Sequence, residues 1–143
     1  MGTNRTTQDA ILNLIFSATT WANYAINASA SPETLIFWQL HTADPGVTGT
    51  GSTSESTYTN YARQSNNRSN GWNASSGGSV APVAAINFPS SGAAGTTITY
   101  FSLGKSGGGT SPLLFSGTVT PNIAIGASGI VPQLTTASTV TLT

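Results

Sequence analysis

Thr34-Leu35-Ile36-Phe37-Trp38-Gln39-Leu40-His41-Thr42 is a compact apolar run, closed almost at once by the turn residues Asp44-Pro45-Gly46. It is too short for a typical helix and rich in side chains that pack on a pleated surface, so it predicts a buried β-strand. The same reading extends outward. Thr96 to Leu103 is dense in β-branched and aromatic residues, and shorter candidates lie at Tyr61 to Gln64, Ala84 to Phe88, Leu113 to Thr120, Ile123 to Ile125 and Val140 to Leu142. Asn70-Gly71, Gly77-Gly78, Pro89, Gly107 to Gly109 and Pro121-Asn122 punctuate them. Many short strands at this spacing predict a mainly β protein, an antiparallel β-sandwich of jelly-roll-like form over residues 34–143. The Gly-, Ser- and Asn-rich stretches Val47 to Thr57 and Ser65 to Ser79 read as long loops.

Upstream of Pro32 the periodicity changes. Ile11, Leu14, Ile15, Ala18, Ala22 and Ala25 recur at three- and four-residue steps, predicting one α-helix over about 7–27, capped by Thr6 or Thr7 with Asp9 suited to the positive end of its dipole. Leu12, Phe16 and Trp21 broaden the apolar surface beyond one stripe, which suits contact with a neighbouring subunit as well as with the helix's own domain. At 143 residues the chain is expected to form one domain, 1–143.

Composition narrows the function. Only 6% of residues are charged, four basic and four acidic for a net charge of zero, and Ser, Thr, Asn and Gly supply the polarity instead. A chain with no basic field has no means of steering a nucleic acid or an anionic membrane, so neither is an expected partner. A surface without charge repulsion favours association between copies. There is no cysteine, hence no disulfide or thiolate metal site. Met1 to Thr6 fits a myristoylation pattern and Ala28-Ser29-Ala30 imitates a signal-peptidase site, but Asp9 and Asn13 interrupt what would have to be an apolar core. This segment is expected to belong to the fold. No apolar run approaches the roughly 20 residues that span a bilayer.

Few residues could carry chemistry. His41 and Asp44 could form a His–carboxylate pair, yet no G-x-S-x-G elbow accompanies them. Asp44-Pro45-Gly46 reads better as a turn in which the Asp side chain accepts a backbone N–H. One His, no Cys and four separated carboxylates do not make a recognisable metal cage. Gly104-Lys105-Ser106 would place the first P-loop glycine at Thr99, inside a predicted strand. Arg63 is expected to clamp a loop to a strand, with Glu55 or Asp44 as its partner. No catalytic residue, metal or cofactor is expected.

Leu-His-Thr-Ala-Asp-Pro-Gly at 40–46, followed after Glu55 by Tyr-Ala-Arg-Gln at 61–64, resembles a family of tailed-phage virion proteins variously labelled tail-fibre proteins and head decoration or cement proteins. Ile86-Asn87-Phe88-Pro89, Thr97 to Phe101 and Leu114 to Gly117 are similar to its later strands. The resemblance makes His41, Asp44, Pro45, Gly46, Glu55, Tyr61 and Arg63 a structural motif. It implies a non-enzymatic β-sandwich subunit, made in the bacterial cytoplasm and placed on the outer surface of the phage head. There it would bind the major capsid protein as a homotrimer and stabilise the shell; a tail-fibre or other tail-associated role, including receptor binding, is the alternative. Leu12, Ile15, Phe16, Trp21 and Trp72, with Trp38 nearby, are the expected interface anchors, because Trp often forms binding hot spots.

Overall fold

The computed structural model describes residues 4–21, 33–105 and 109–142. Its elements are α1 (Arg5–Phe16), β1 (Leu35–His41), β2 (Gln64–Asn67), β3 (Ser79–Val80), β4 (Ile86–Asn87), β5 (Thr97–Gly104), β6 (Leu113–Ala124), β7 (Gln133–Leu134) and β8 (Val140–Thr141). The protein is mainly β with a single N-terminal helix among the described residues. The largest sheet runs β2-β1-β5-β6, and two-stranded ribbons pair β3 with β8 and β4 with β7. The chain makes two compact units from interleaved stretches: residues 1–35, 66–85 and 134–143 in the first, 36–65 and 86–133 in the second.

β1 is an inner strand, its edges paired with β2 and β5, and its residues from Trp38 to His41 are buried on both faces. Phe37 to His41 pair antiparallel with Gly104 to Tyr100. With a period of two, Trp38 and Leu40 point to one face and Gln39 and His41 to the other, and all four are buried. The expected strands Leu113 to Thr120 and Ile123 to Ile125 are one strand, β6, which continues through the cis Thr120–Pro121 bond. The register against β5 jumps from Tyr100↔Thr118 to Ile98↔Ile123, so Val119 to Asn122 bulge from the ladder. Tyr61 to Arg63 are not a strand; pairing begins only at Gln64, after Asn60 takes a left-handed φ of 77°.

The first unit holds the helix, and two expectations about it are corrected. The N-cap is Asn4, whose Oδ1 accepts from Thr6 N–H at 2.9 Å, not Thr6 or Thr7. The helix ends at Phe16 rather than near 27. Ala18 adopts φ 52°, and the N–H groups of Ser17 and Thr19 both turn back onto the Asn13 carbonyl, which closes the last turn. Residues 22–27 of the expected helix lie outside the described residues. The buried stripe is Gln8, Leu12 and Phe16, at i, i+4 and i+8, while Ile11, Leu14 and Ile15 are only half-buried. Phe16 packs on Trp72 with ring centroids 4.4 Å apart.

Polar bonds fix the helix at both ends. Asp9 Oδ1 accepts from Ser75 Oγ at 2.6 Å and Gly78 N–H at 2.8 Å, and Asn13 Oδ1 accepts from Ser75 N–H at 2.9 Å. These bonds hold the Asp9 carboxyl below the usual carboxylate range, the Ser75 hydroxyl contributing most. Asp9 therefore serves as a clasp on the 75–78 turn rather than as a first-turn charge on the dipole. Gly78 has φ +76°, and a Cβ there would run into the Gln8 side chain, so the turn needs glycine. At the other end Arg68 donates to the carbonyls of Ile15 (2.5 Å), Leu14 (2.6 Å) and Glu33 (2.6 Å). Burial lowers the Arg68 pKa from its ordinary value, and Glu33 partly offsets this. A cation on the last carbonyls of a helix satisfies acceptors that have no partner within the helix. Arg68→Ala is expected to destabilise the first unit by about 2 kcal/mol. Urea unfolding followed by far-UV circular dichroism measures this, and a loss under 0.5 kcal/mol would show that these bonds merely replace water.

Candidate functional site

The motif residues converge at the end of β1. Asp44 Oδ1 accepts Gly46 N–H at 2.8 Å, and Gly46 has φ 72°, the turn expected of Asp-Pro-Gly. Pro45 is buried beneath it. The chain then returns antiparallel to the strand end: Thr42 N–H donates to Ser54 O and Ser56 N–H to Leu40 O, each at 2.8 Å. His41 and Glu55 thereby face each other in an isolated β-bridge.

Glu55 is the hub of the returning segment. Arg63 grips it with both arms of its fork, Nε to Oε1 at 2.6 Å and Nη2 to Oε2 at 2.7 Å, with side chains only 13% and 17% exposed. Of the two carboxylates considered for Arg63, the partner is Glu55, while Asp44 is committed to its own turn. This bidentate bond is the main reason the Arg63 pKa is raised. Tyr61 hydroxyl donates to Glu55 Oε1 and accepts the Leu40 N–H, both at 3.0 Å. Burial first, and the Glu55 charge after it, raise the Tyr61 pKa. The ring stacks on Phe88 and meets Tyr58 edge-on at 5.3 Å. Tyr58, pushed up to about 12 by burial, donates to Pro89 O at 2.8 Å. Gly51 sits where a Cβ would come within 3.0 Å of Arg63 Nη2 and 2.9 Å of Gln39 Oε1. Gly51→Ala is expected to push the fork off Glu55 and lower the melting temperature by roughly 4 °C. An unchanged melting temperature would mean the loop yields freely.

His41 completes the constellation. Its Nδ1 lies 2.8 Å from Thr53 O and its Nε2 2.6 Å from Ser102 Oγ, which in turn is 3.1 Å from Gln39 Oε1. A Ser hydroxyl within reach of a His nitrogen has the outline of a nucleophile and its base. Here both side chains have no solvent exposure, and a backbone carbonyl stands where a triad would place a carboxylate. A substrate has no route to this hydroxyl, so the pair is a satisfied polar network in a core. Burial lowers the His41 pKa, keeping the ring neutral. Among the described residues there is no cluster of three or more His, Asp or Glu side chains that could hold a metal, and no helix is long and apolar enough to cross a membrane.

Of the expected interface anchors, Leu12 and Phe16 are wholly buried and Trp72 is 6% exposed within the chain itself. Trp38 is likewise wholly buried. Ile15 and Trp21 are half-buried. Ser102, Gln39 and Arg68 escaped the sequence reading. Arg68 alone carried a usable signal, a lone cation in an Asn/Ser-rich stretch of a chain with four basic residues.

Taken together, the motif residues bond to one another and to backbone, holding a loop against a strand instead of presenting groups to a ligand. No curated protein matches the chain. A family model described as Podophage GP4 fiber I protein gp80 matches residues 3–141, nearly the whole length. The chain therefore belongs to the Podophage GP4 fiber I protein gp80 family, a family of phage virion structural proteins.

Proposed function

We propose that this protein is a non-enzymatic subunit of a virion fibre, working by binding its neighbours in the particle and further copies of itself. The observation that carries the reading is the match over residues 3–141 to a family described as a fibre protein. The geometry supports the non-enzymatic part: Glu55 is committed to Arg63, Asp9 to the 75–78 turn, and His41 is enclosed. A surface with so few charges suits permanent contact with like subunits, since few charges must be desolvated when it is covered.

Head decoration is the second reading, favoured by the same ion-poor surface and by the resemblance of the 40–46 and 61–64 blocks. It would make the major capsid protein the partner and trimers on the outer shell the assembled form. Gold-labelled antibody against this chain, applied to purified virions in the electron microscope, separates the two. Label on appendages, absent from particles made without the gene, is the expected result; label spread over the head shell would replace the fibre reading with head decoration.

A further inference from the structure

We infer that Gln39, Ser102 and His41 form a proton-responsive chain in the core, in which proton uptake at His41 Nε2 reverses the direction of both hydrogen bonds beyond it. Thr53 O, 2.8 Å from Nδ1, can only accept, so Nδ1 carries a hydrogen in either charge state of the ring. In the neutral ring Nε2 is then a bare acceptor, and the group beside it at 2.6 Å is the Ser102 hydroxyl, which must donate to it. Having spent its one hydrogen, Ser102 Oγ must accept from Gln39, so the amide turns its nitrogen toward Ser102.

The opposite polarity is equally complete. With Ser102 Oγ donating to Gln39 Oε1 at 3.1 Å, no hydroxyl hydrogen remains for Nε2, and that pattern closes only when Nε2 carries its own proton and donates to Ser102. One proton gained from solvent thus turns one hydroxyl rotor and one amide by half a revolution, with Ser102 Oγ and both ring nitrogens of His41 bonded in either state. The oxygen and nitrogen of an amide occupy nearly the same space, so the exchange needs no repacking.

Charged neighbours set the balance. Glu55, across the bridge from His41, favours uptake; Arg63 opposes it; the two are ion-paired, so their fields largely offset each other. Tyr61, bonded to Glu55, is a neutral hydroxyl because burial raises its pKa, and Tyr100 is the register partner of His41 on β5. Burial is the dominant influence and disfavours the cation. An unfolded chain takes up the proton near 6.5, the folded one only at lower pH. The stability supplied by the neutral ring is therefore full above 6.5 and lost as pH falls toward the folded value. Acid should weaken the junction of β1, β5 and the 53–56 segment before it touches the Asp9 clasp, whose carboxyl titrates below 3.8.

His41 is the single histidine, so its signals need no assignment. Long-range 1H–15N correlation spectra of the full-length protein should show the Nδ1–H tautomer at pH 7.5. On acidification the imidazole should titrate below 6.5, and the Gln39 side-chain amide resonances should move with the same midpoint. In Ser102→Ala the ring should still titrate while Gln39 no longer follows. An Nε2–H tautomer at pH 7.5, or a Gln39 amide that ignores the titration of His41 in the wild-type protein, would overturn the inference. In thermal unfolding, His41→Gln should flatten the fall in midpoint between pH 7 and pH 5; an equally steep fall in the variant would count against it as well.

Discussion

Phe16→Ala should lower the free energy of unfolding by about 3–5 kcal/mol, the range for truncating an aromatic side chain in a core. Phe16 has no exposed surface, and its ring lies 4.4 Å from that of Trp72 at an interplanar angle of 59°. Truncation removes this aromatic contact and leaves a hole beneath the last turn of α1, the turn that Arg68 also holds. Since small domains are stable by only about 5–15 kcal/mol in total, the variant should be near the limit of folding at 37 °C. Urea unfolding of isolated, non-assembled protein is the measurement. It also separates a core role from an interface role, because an anchor at a subunit contact would leave unassembled stability intact and weaken association. A change under 1 kcal/mol in the unassembled chain would return Phe16 to the interface.

Glu55→Ala should cost roughly 3 kcal/mol, near the lower end for breaking a buried ion pair by removing one partner. The loss is chiefly what is left behind. Arg63 keeps a charge at 13% exposure with its two-armed acceptor gone, and the Tyr61 hydroxyl, which still accepts Leu40 N–H, loses the oxygen to which it donates. Arg63→Lys should recover only part of the wild-type stability, because a point charge cannot bond both carboxylate oxygens at once. A double-mutant cycle of Glu55→Ala and Arg63→Ala in chemical denaturation reads the coupling directly. Additive single losses would mean that the two side chains stabilise the loop independently and that the clamp is not a unit.

How far such effects could be read in advance depended on how local the physics was. The strand over 35–41 declared itself because a central strand needs apolar residues on both faces, and the Asp44 turn because its hydrogen bond spans two residues. Glu55 was reachable as a partner of Arg63 since the chain holds only four acidic residues. The buried stripe of α1 was misjudged because Gln8 lies on it, and an amide that bonds Arg5 across one turn is as well housed there as an apolar side chain. The end of the helix was hidden by Ala18, an excellent helix former that nonetheless adopts a left-handed φ where the chain must turn. Ser102 gave no sign at all. In a chain so rich in serine, the one whose hydroxyl meets the histidine is chosen by a strand register that puts residues 61 positions apart in contact.

The clasp on α1 sets a timetable for synthesis. Asp9 binds Ser75 and Gly78 across 66 and 69 residues, and β3, which leads on from that turn, pairs with Val140 and Thr141. At a translation rate of about 5–20 residues per second, the helix waits several seconds outside the ribosome for the turn that fastens it. The β3 ribbon waits about as long again. During that interval a twelve-residue helix is too short to persist alone in water, and its apolar stripe is open to chaperones and to other nascent chains. Assembly-competent subunits should therefore appear only once residue 141 has left the ribosome, and pulse-labelled nascent chains should stay protease-sensitive in residues 5–16 until then.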